Sequence, residues 1–219
     1  MKFERIPRDF LKEHHSHSTD VPSLYWHPNP FLRWLFYGRL EKIAQIIPTP
    51  TDKQVVCDFG GGGGAFLLTL SRNFQKVILL DFEITEAEAI VEHYNLNNVE
   101  IIKGDVLLNG LADHSLDVVI AADVLEHFQD VTKPVKEIAR LLRPEGSFFL
   151  SGPTENFWYR LGRLLFGIQK PADHHHNVKE IERIFLKESF TIVKKLYLPL
   201  NISLFGIFCV FHAKPQSLK

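Results

Sequence analysis

The sequence has few of the features that mark a nucleic-acid-binding or exported chain. Its formal net charge is -1 across 219 residues. General nucleic-acid binding requires an excess of Lys and Arg over acidic residues, so a small-molecule partner is favoured and no nucleic-acid partner is expected. Residues 1–20 contain no apolar stretch that resembles an export signal.

Cysteine is scarce as well. The two cysteines, Cys57 and Cys209, both lie inside apolar runs. Thiols in such runs are typical of buried, reduced cysteines rather than of a disulfide framework. The cysteine usage therefore predicts a cytoplasmic protein.

Only one stretch approaches the length of a membrane span. Residues 196–213 contain no Asp, Glu, Lys or Arg, which is compatible with a short membrane helix. The stretch is interrupted by Pro199, Asn201, Ser203 and Gly206. Two buried strands joined by a turn explain these interruptions better than a membrane helix does.

What the sequence does contain is a regular alternation of apolar runs and helical patterns from Val55 onward, the rhythm of βαβ units. We predict an α/β fold: a Rossmann-like, seven-stranded, mostly parallel sheet with helices on both faces. The predicted strands are 55–59, 77–81, 99–103, 117–121, 147–151, 190–197 and 204–211.

Capping and breaking residues set several predicted helix boundaries. Thr85 with Glu88, and Asn177 with Glu180, have the spacing of a capping box, in which side chains satisfy the free donors of the first turn. The segment 143–146 (Arg-Pro-Glu-Gly) ends the helix before the fifth strand.

The chain before the sheet is predicted to be a separate cover. The apolar pattern of residues 30–47, closed by two prolines, predicts a helix. We therefore divide the chain into a tail and helical cover at 1–50 and a cofactor-binding domain at 51–215. His14, His15 and His17 are expected to belong to a mobile terminus.

Five consecutive glycines, 60–64, follow the buried strand 55–59 and lead into a helix. Gly60, Gly62 and Gly64 would let the backbone turn sharply and approach a ligand, whose anionic group can meet free N–H groups. Such loops bind nucleotide-like cofactors.

The same loop leaves a second enzyme class open. Gly60, Gly62 and Ala65 also fit the G-x-G-x-x-A fingerprint of dinucleotide sites, so a nicotinamide-dependent oxidoreductase is an alternative. Asp58 argues against it, because that fingerprint normally follows an all-apolar strand.

Carboxylates follow the next strands at the same expected edge of the sheet. Asp81 ends the second strand, 21 residues after Gly60, where a carboxylate can accept both hydrogen bonds of a ribose diol. Asp105 follows the third strand, and the fourth leads into the segment 122–127. Ligands of open α/β folds bind at this carboxyl edge.

These segments carry a family resemblance. The run 56–64 resembles the first motif of class I S-adenosylmethionine-dependent methyltransferases, in which an acid stands two residues before the first glycine. The runs 117–120, 124–127 and 142–146 resemble later motifs of that family, especially in the branch of quinone-precursor O-methyltransferases. The resemblance spans residues 50–215 and departs from the family pattern at Gly63 and Glu145.

The resemblance implies S-adenosylmethionine as the cofactor, S-adenosylhomocysteine as the product, and a direct transfer to a small-molecule acceptor. Oxygen is the favoured site of methylation, with carbon and nitrogen acceptors left open. It implies that Asp58 orders the loop and that Gly60 and Gly62 contact the methionine end. The remaining implied contacts are Asp81 to the ribose, Phe82, Asp105 and Val106 to the adenine, and Ala122 to the methionine portion. A cofactor-binding module without catalysis is a further alternative.

Histidines supply the candidate catalytic groups. His127 could act as a general base on an acceptor hydroxyl, or it could brace the following turn. His174 and His176, in the run 173–176, are candidates for acceptor binding or proton transfer, with a solvated loop as the alternative. Because adjacent residues point in different directions while a metal needs converging ligands, the run predicts no metal site.

An insertion at about 152–176 is expected on the acceptor side. Its stretch 157–166 is aromatic and aliphatic with Arg160 and Arg163 interleaved. Packing of this stretch against the N-terminal cover is favoured. Contact with a membrane surface, for a hydrophobic or lipid-linked acceptor, is the alternative.

Overall fold

The computed structural model describes residues 1–14, 23–51, 53–170 and 172–216. They form a seven-stranded sheet in the order β3-β2-β1-β4-β5-β7-β6. The strands are β1 (Val55–Phe59), β2 (Lys76–Asp81), β3 (Val99–Lys103), β4 (Leu116–Ala122), β5 (Leu142–Pro153), β6 (Phe190–Leu198) and β7 (Phe208–Pro215). β1 to β5 pair in parallel, and β7 pairs antiparallel with both β5 and β6. The predicted α/β class and mostly parallel sheet are confirmed.

Seven α-helices surround the sheet in the described part of the chain. They are α1 (Arg8–His14), α2 (Pro30–Ile46), α3 (Leu67–Ser71), α4 (Thr85–His93), α5 (Thr132–Leu141), α6 (Phe157–Phe166) and α7 (Val178–Lys187). Two short 3-10 turns add Ser23–Tyr25 and Leu125–His127.

The central strands β1, β2, β4 and β5 and the strand β7 are largely buried on both faces, and alternate residues serve two separate cores. In β1, Val56 belongs to the core under α1 to α4, while Cys57 belongs to the core under α5 and α7. Successive strand side chains point to opposite faces, which explains why β1 is nearly continuously apolar. Helices therefore cover both faces, as predicted.

The order of the sheet reverses between β1 and β4, which are neighbours although two strands separate them in sequence. Crossovers leave β1 towards β2 on one side and β4 towards β5 on the other, so a crevice opens at the carboxyl ends of these two strands. This switch point locates the candidate site.

Some predicted boundaries are confirmed and others are wrong. Asn177 and Glu180 form the predicted capping box at α7. At α4 the capping residue is Ile84, without a side-chain bond, so the box predicted for Thr85 and Glu88 is wrong. Thr85 is already the first helical residue, and its hydroxyl therefore does not occupy the capping position.

The apolar stretch 196–213 forms the end of β6, a connection and most of β7, in agreement with the two-strand prediction. β7 begins at Phe208, four residues later than predicted, because residues 199–206 belong to the connection. Within the described ranges, no helix is both long enough and apolar enough to cross a membrane.

The N-terminal segment packs against α2, the helix of the predicted cover. The Met1 amino group donates to the carbonyl of Ala44 at 2.8 Å, and Leu11 is buried in the same core as α2. His14 ends α1 and its ring stacks on Phe10 at 4.0 Å. The prediction of a mobile terminus is therefore wrong for His14, whereas His15 and His17 lie outside the described residues.

Candidate functional site

The glycine loop turns sharply after β1. Gly60, Gly62 and Gly64 have φ angles of 71°, 51° and 76°, a backbone region that residues other than glycine rarely adopt. The Gly60 amide donates to the Leu80 carbonyl at 2.8 Å, and the Gly62 amide donates to Asp81 Oδ2 at 2.7 Å. The loop is thus fixed against the end of β2, with its backbone open to the crevice.

Asp58 lies under this loop with a carboxylate that the protein leaves partly unsatisfied. It is buried, and no described residue donates a hydrogen bond to its Oδ2. Burial, and then the nearby charge of Asp81, raise the pKa of Asp58 to about 7. A cationic ligand group in the crevice would compensate this buried carboxylate.

A cavity of about 830 Å³ opens at the switch point. The predicted site residues that line it are Asp58, Gly60, Gly62, Asp81, Phe82, Val106, Ala122, His127 and His174. These residues were predicted from several separate segments of the sequence, and they do line one cavity. The exposed ring of Phe82 stands at the end of β2 and forms part of the lining.

Three predicted residues do not line the cavity. A side chain at Gly64 would meet Leu67 and Ala87, so this glycine serves helix packing. Asp105 Oδ1 accepts from the amide of Leu107 at 2.9 Å and closes its own turn.

His176 is the third of these residues. Its Nε2 lies 3.1 Å from the carbonyl of Gln129, and its ring braces the loop outside the cavity. These positions do not support Gly64 and Asp105 as cofactor contacts or His176 as a catalytic candidate, and the three roles stay untested predictions.

A buried ion pair that the sequence prediction missed joins the N-terminal cover to the sheet edge. Arg39 of α2 contacts Asp123 Oδ2 at 2.5 Å, and both line the cavity. Ser151 donates to the same Asp123 oxygen at 2.7 Å, and Arg39 lies over the ring of Phe208. Asp123 comes directly after β4, and Asp81 is the last residue of β2. A carboxylate at the carboxyl end of a strand is therefore a signal that could also have identified Asp123. Arg39 has no comparable sequence signal, because only its contact with Asp123 in the folded chain distinguishes it from a surface arginine.

The inner face of α6 forms another part of the wall. Tyr159 and Arg163 line the cavity, with the guanidinium 4.9 Å from the tyrosine ring centroid. Arg163 also pairs with Glu155 at 3.2 Å. These residues come from the insertion predicted at about 152–176 and give it a polar inner surface.

Two histidines and one aspartate, His127, His174 and Asp173, lie close together in the lining of the same cavity. His127 Nδ1 lies 2.7 Å from Asp173 Oδ2, and the rings of His127 and His174 are nearly perpendicular with centroids 4.7 Å apart. Burial, and then the charge of His127, lower the pKa of His174 to about 4. The His174 ring is therefore neutral at physiological pH.

The chain is similar to known methyltransferases. The model of the methyltransferase domain family matches residues 57–150, the segment from β1 through most of β5. The chain is 25% identical to the ubiquinone biosynthesis O-methyltransferase of Bartonella tribocorum over 215 residues, which cover 85% of this chain and 87% of the relative. The segment matched by the family model contains both the glycine loop and the strand ends that form the cavity.

The chain is a class I S-adenosylmethionine-dependent methyltransferase. Solved structures share its fold. A methyltransferase of this type from Aquifex aeolicus covers 95% of this chain and 98% of its own, with a TM-score of 0.66 and 19% identity. The N-methyltransferase NodS of Bradyrhizobium japonicum, bound to S-adenosylhomocysteine, has a TM-score of 0.67, 15% identity and coverage of 95% and 97%.

The cofactor of the methyltransferase is S-adenosylmethionine, and the crevice is chemically suited to it. The unsatisfied, buried oxygen of Asp58 matches a ligand that carries positive charge, and the open glycine loop admits close approach of backbone. The nicotinamide-dependent alternative is not favoured by these comparisons.

Proposed function

We propose that the methyltransferase methylates a hydroxyl oxygen of a hydrophobic small molecule that it takes from a membrane surface. The observation that carries the proposal is the two-sided character of α6. Its inner residues Tyr159 and Arg163 line the reaction cavity. Its outer residues Phe157, Leu164 and Leu165 are 68%, 78% and 72% exposed. One helix therefore connects the reaction cavity with an apolar outer surface.

The exposed apolar surface extends beyond α6. We call the whole surface the apolar ridge. Besides the three residues above, it includes Trp158 and Phe166 of α6, Phe31 and Trp34 of α2, and Leu200, Ile202, Leu204 and Phe205 of the connection between β6 and β7. Ring contacts connect its parts: Phe31 to Phe166 at 6.1 Å, and Trp158 to Phe205 at 5.6 Å. Contiguous apolar patches of this kind mark interaction sites in soluble proteins.

Packing of α6 against the cover, the interpretation favoured by sequence reasoning, accounts for part of the helix only. Tyr159 packs on Phe208, and Phe166 stacks near Phe31. The outer leucines remain uncovered within the described chain. An amphipathic helix with aromatic and leucine residues on one side and Arg160 beside them suits the headgroup boundary of a lipid bilayer.

The nature of the acceptor is supported by one relative. The Bartonella tribocorum enzyme is named as an O-methyltransferase of ubiquinone biosynthesis, and the alignment covers 85% of this chain. We infer a hydroxylated aromatic acceptor with an apolar tail. We also propose that the chain acts in the cytoplasm, on the grounds that both of its cysteines are free and buried.

For the cofactor, we propose that Asp81 holds the ribose, that Phe82 and Val106 contact the adenine, and that Asp58, Gly60, Gly62 and Ala122 surround the methionine end. Holding a sulfonium in line with a nucleophile can contribute roughly 7 to 11 kcal/mol to catalysis. Positioning is therefore the main task of these residues.

For the acceptor, we propose that the reacting hydroxyl lies beside His127 and His174. In the transfer, the hydroxyl proton passes to the free ring nitrogen of His127, whose Nδ1 is held by Asp173. The oxygen forms a bond to the methyl carbon, and the electron pair of the broken carbon–sulfur bond stays on sulfur. The two imidazoles stabilise the deprotonated oxygen. The products are the methyl ether and S-adenosylhomocysteine.

The proposal is tested with one hydroxylated aromatic acceptor offered in two forms, with and without a long isoprenoid tail, in anionic liposomes. We expect the wild type to bind the liposomes and to turn over the tailed form at least tenfold faster. The variant L164S/L165S should lose both properties, while Leu186→Ser, an exposed leucine of α7 under the opposite face, should keep them. Equal turnover of both forms, or unchanged binding by L164S/L165S, would overturn the membrane part of the proposal.

A further inference from the structure

The insertion after β5 contains a buried polar cluster to which the cofactor site assigns no role. Its members are Glu155, which precedes α6, Arg163 of α6, and His174, which precedes α7. Their side chains are 10%, 14% and 11% exposed. All three lie beyond residue 150, where the match to the methyltransferase family model ends. The cluster therefore belongs to the insertion of this chain and not to the segment that the family shares.

The guanidinium of Arg163 is fixed on two sides. Its Nη2 pairs with Glu155 Oε2 at 3.2 Å, and its central carbon lies 4.9 Å from the centroid of the Tyr159 ring. A guanidinium held by a carboxylate and by an aromatic ring has little freedom left to lose when it binds a ligand. Arg163 and Tyr159 both line the cavity. The guanidinium is thus preorganised at the cavity wall.

The pairing of Arg163 with Glu155 is incomplete. Arginine and a carboxylate frequently form two parallel hydrogen bonds, whereas here Nη2 alone bonds to the carboxylate. Arg163 Nη1 and Glu155 Oε1 are both buried, and no described group hydrogen-bonds to either atom. A buried polar atom without a partner costs free energy. Each of the two atoms therefore has one unmet hydrogen bond.

His174 accounts for the unmet bond of the carboxylate. Its Nδ1 is also buried without a partner in the described chain, and it lies 4.0 Å from Glu155 Oε1. A movement of roughly 1 Å would bring these two atoms to hydrogen-bonding distance. Arg163 Nη1 has no such neighbour among the described residues, so its natural partner is an oxygen of a bound ligand.

The backbone places Glu155 deliberately. Its φ angle is 50°, in the left-handed region that residues other than glycine rarely adopt. Both neighbours anchor it: Thr154 Oγ1 and Asn156 Nδ2 donate to the carbonyl of Gly206 at 2.9 Å and 2.7 Å. Residues held in such conformations cluster at functional sites. The fold therefore fixes Glu155, and through it the position of Arg163.

The surrounding charge favours an uncharged ligand group over an anion. Arg163 is paired with Glu155, and Arg39, the other arginine in the lining, is paired with Asp123. Each pair carries no net charge, and Asp173 adds a further carboxylate to the same lining. An anionic ligand group would meet these carboxylates, whereas an uncharged oxygen can accept from Nη1 without repulsion.

We propose that Arg163 binds an uncharged oxygen substituent of the acceptor, such as a methoxyl or carbonyl group, in addition to the hydroxyl that is methylated. Arg163 Nη1 donates the hydrogen bond. Glu155 is a positioning residue that holds the guanidinium and neutralises its charge. An acceptor without this oxygen is disfavoured, because it leaves the buried N–H group unpaired. The assignment of the substituent to the methyl acceptor rests on the proposed O-methylation, whereas oxygen binding by Arg163 does not.

The test measures binding, not turnover. The purified full chain, saturated with S-adenosylhomocysteine, is titrated by calorimetry with phenols whose ortho or meta substituent is methoxyl, methyl or carboxylate. At least one methoxyl isomer should bind the wild type about tenfold more tightly than its methyl and carboxylate analogues. Equal affinity for the methoxyl and methyl compounds, or no measurable binding of any phenol, would overturn the subsite.

Two variants test the separate roles of Arg163 and Glu155. Arg163→Met should reduce the affinity for the methoxyl compound to that of its methyl analogue, whose own affinity should change by less than about twofold. Glu155→Gln keeps the shape of the side chain but leaves the guanidinium charge without compensation. Affinity for the carboxylate analogue should therefore rise by about tenfold. A uniform loss of affinity for all three compounds in Glu155→Gln would contradict its positioning role.

Arg183→Met is the matched control, because Arg183 is an exposed arginine of α7 outside the cavity lining. It should bind every phenol as the wild type does. Titration with S-adenosylhomocysteine checks that each variant is folded and keeps its cofactor site. The same loss of preference for methoxyl in Arg183→Met as in Arg163→Met would reject the role of Arg163.

The two proposals fail in different ways. Preferential binding of a methoxyl phenol that depends on Arg163, without methylation of any acceptor, would keep the subsite and reject the proposed reaction. Methylation of the methoxyl and methyl compounds with equal kcat/KM in the wild type and in Arg163→Met would keep the reaction and reject the subsite.

Discussion

The cofactor half and the acceptor half of the cavity are built in different ways. The cofactor half uses short loops at the ends of β1 to β4, and its contacts are local: the Gly62 amide reaches Asp81 across neighbouring strands. The acceptor half is assembled from distant segments, since Arg39, Asp123 and Tyr159 come from α2, the end of β4 and α6. If the proposed assignment of the two halves is correct, cofactor binding depends on the sheet edge, whereas acceptor binding depends on how α2 and α6 pack on it.

The largest effect is expected where the two halves are joined. Arg39→Met leaves the mostly buried Asp123 unpaired, and loss of one partner of a buried pair costs about 4 kcal/mol of the free energy of unfolding. Urea denaturation measures this change. The double variant R39M/D123N should recover most of it; if the single and double variants are equally unstable, the ion pair does not connect the halves.

Gly60→Val should damage the cofactor half alone. A β-carbon there would lie 2.5 Å from Val124, at a φ of 71°. We expect the binding free energy of S-adenosylhomocysteine to weaken by about 3 kcal/mol, which is a loss of affinity of roughly a hundredfold or more. Calorimetric titration measures this change.

Gly110→Val is the matched control for this loop variant. Gly110 has a φ of 72° and no atom within 4 Å of a built β-carbon. The control carries the same backbone strain away from the cavity. Similar affinity losses in both variants would mean that strain, rather than the loop's close contacts, is responsible.

Asp81→Asn tests the carboxylate of the cofactor half. It keeps the shape of the side chain but removes the charge that accepts from Gly62 and, as proposed, from the ribose. A charged hydrogen bond contributes about 2 kcal/mol, so affinity for S-adenosylhomocysteine should fall about thirtyfold in the same titration. Asp105→Asn, outside the cavity lining, should leave it unchanged; equal affinity of Asp81→Asn and wild type would remove the ribose assignment.

The pH dependence of cofactor binding should follow Asp58. Burial raises its pKa to about 7, so the free protein holds a proton there below pH 7 that must leave before the carboxylate can compensate a cationic ligand. Affinity should therefore rise by up to tenfold per pH unit below 7 and level off above it. Titrations at pH 6, 7 and 8 measure the slope, and Asp58→Asn should remove it.

The smallest effect is expected on the outer face of α6. Leu165→Ser changes an exposed residue, so the free energy of unfolding and the affinity for S-adenosylhomocysteine should each change by no more than about 0.5 kcal/mol. Thermal unfolding and calorimetry check this. A large loss of either would show that the apolar ridge supports the fold and would weaken the comparison between the halves.

Most of the residues predicted to bind the cofactor line one cavity because the signals that selected them are local. Glycines at a strand end need no tertiary partner to be interpreted, and an acid at the end of the next strand has a fixed place on a parallel sheet. Two predicted residues lie outside the cavity lining: Asp105 closes its own turn, and Gly64 packs against Ala87.

The acceptor half was predicted only as a set of candidates. His127 and His174 were named, but their proximity depends on the backbone contact between His175 and Glu126. Arg39 carried no sequence signal, since a charged residue in an apolar pattern is ordinarily placed on the surface. Glu126 lies in the run 124–127 that resembles a family motif, but no role was predicted for it.

The sequence by itself determined which runs form buried strands and where the glycine loop turns, because periodicity and backbone conformation are properties of neighbouring residues. The class of cofactor came from the resemblance of these segments to the methyltransferase family. Only the tertiary structure decided that Glu126, His127 and His174 meet, that Arg39 pairs with Asp123, and that one face of α6 remains exposed. Such contacts join residues distant in the chain, and their geometry is set by how helices and loops pack on the sheet rather than by any local pattern.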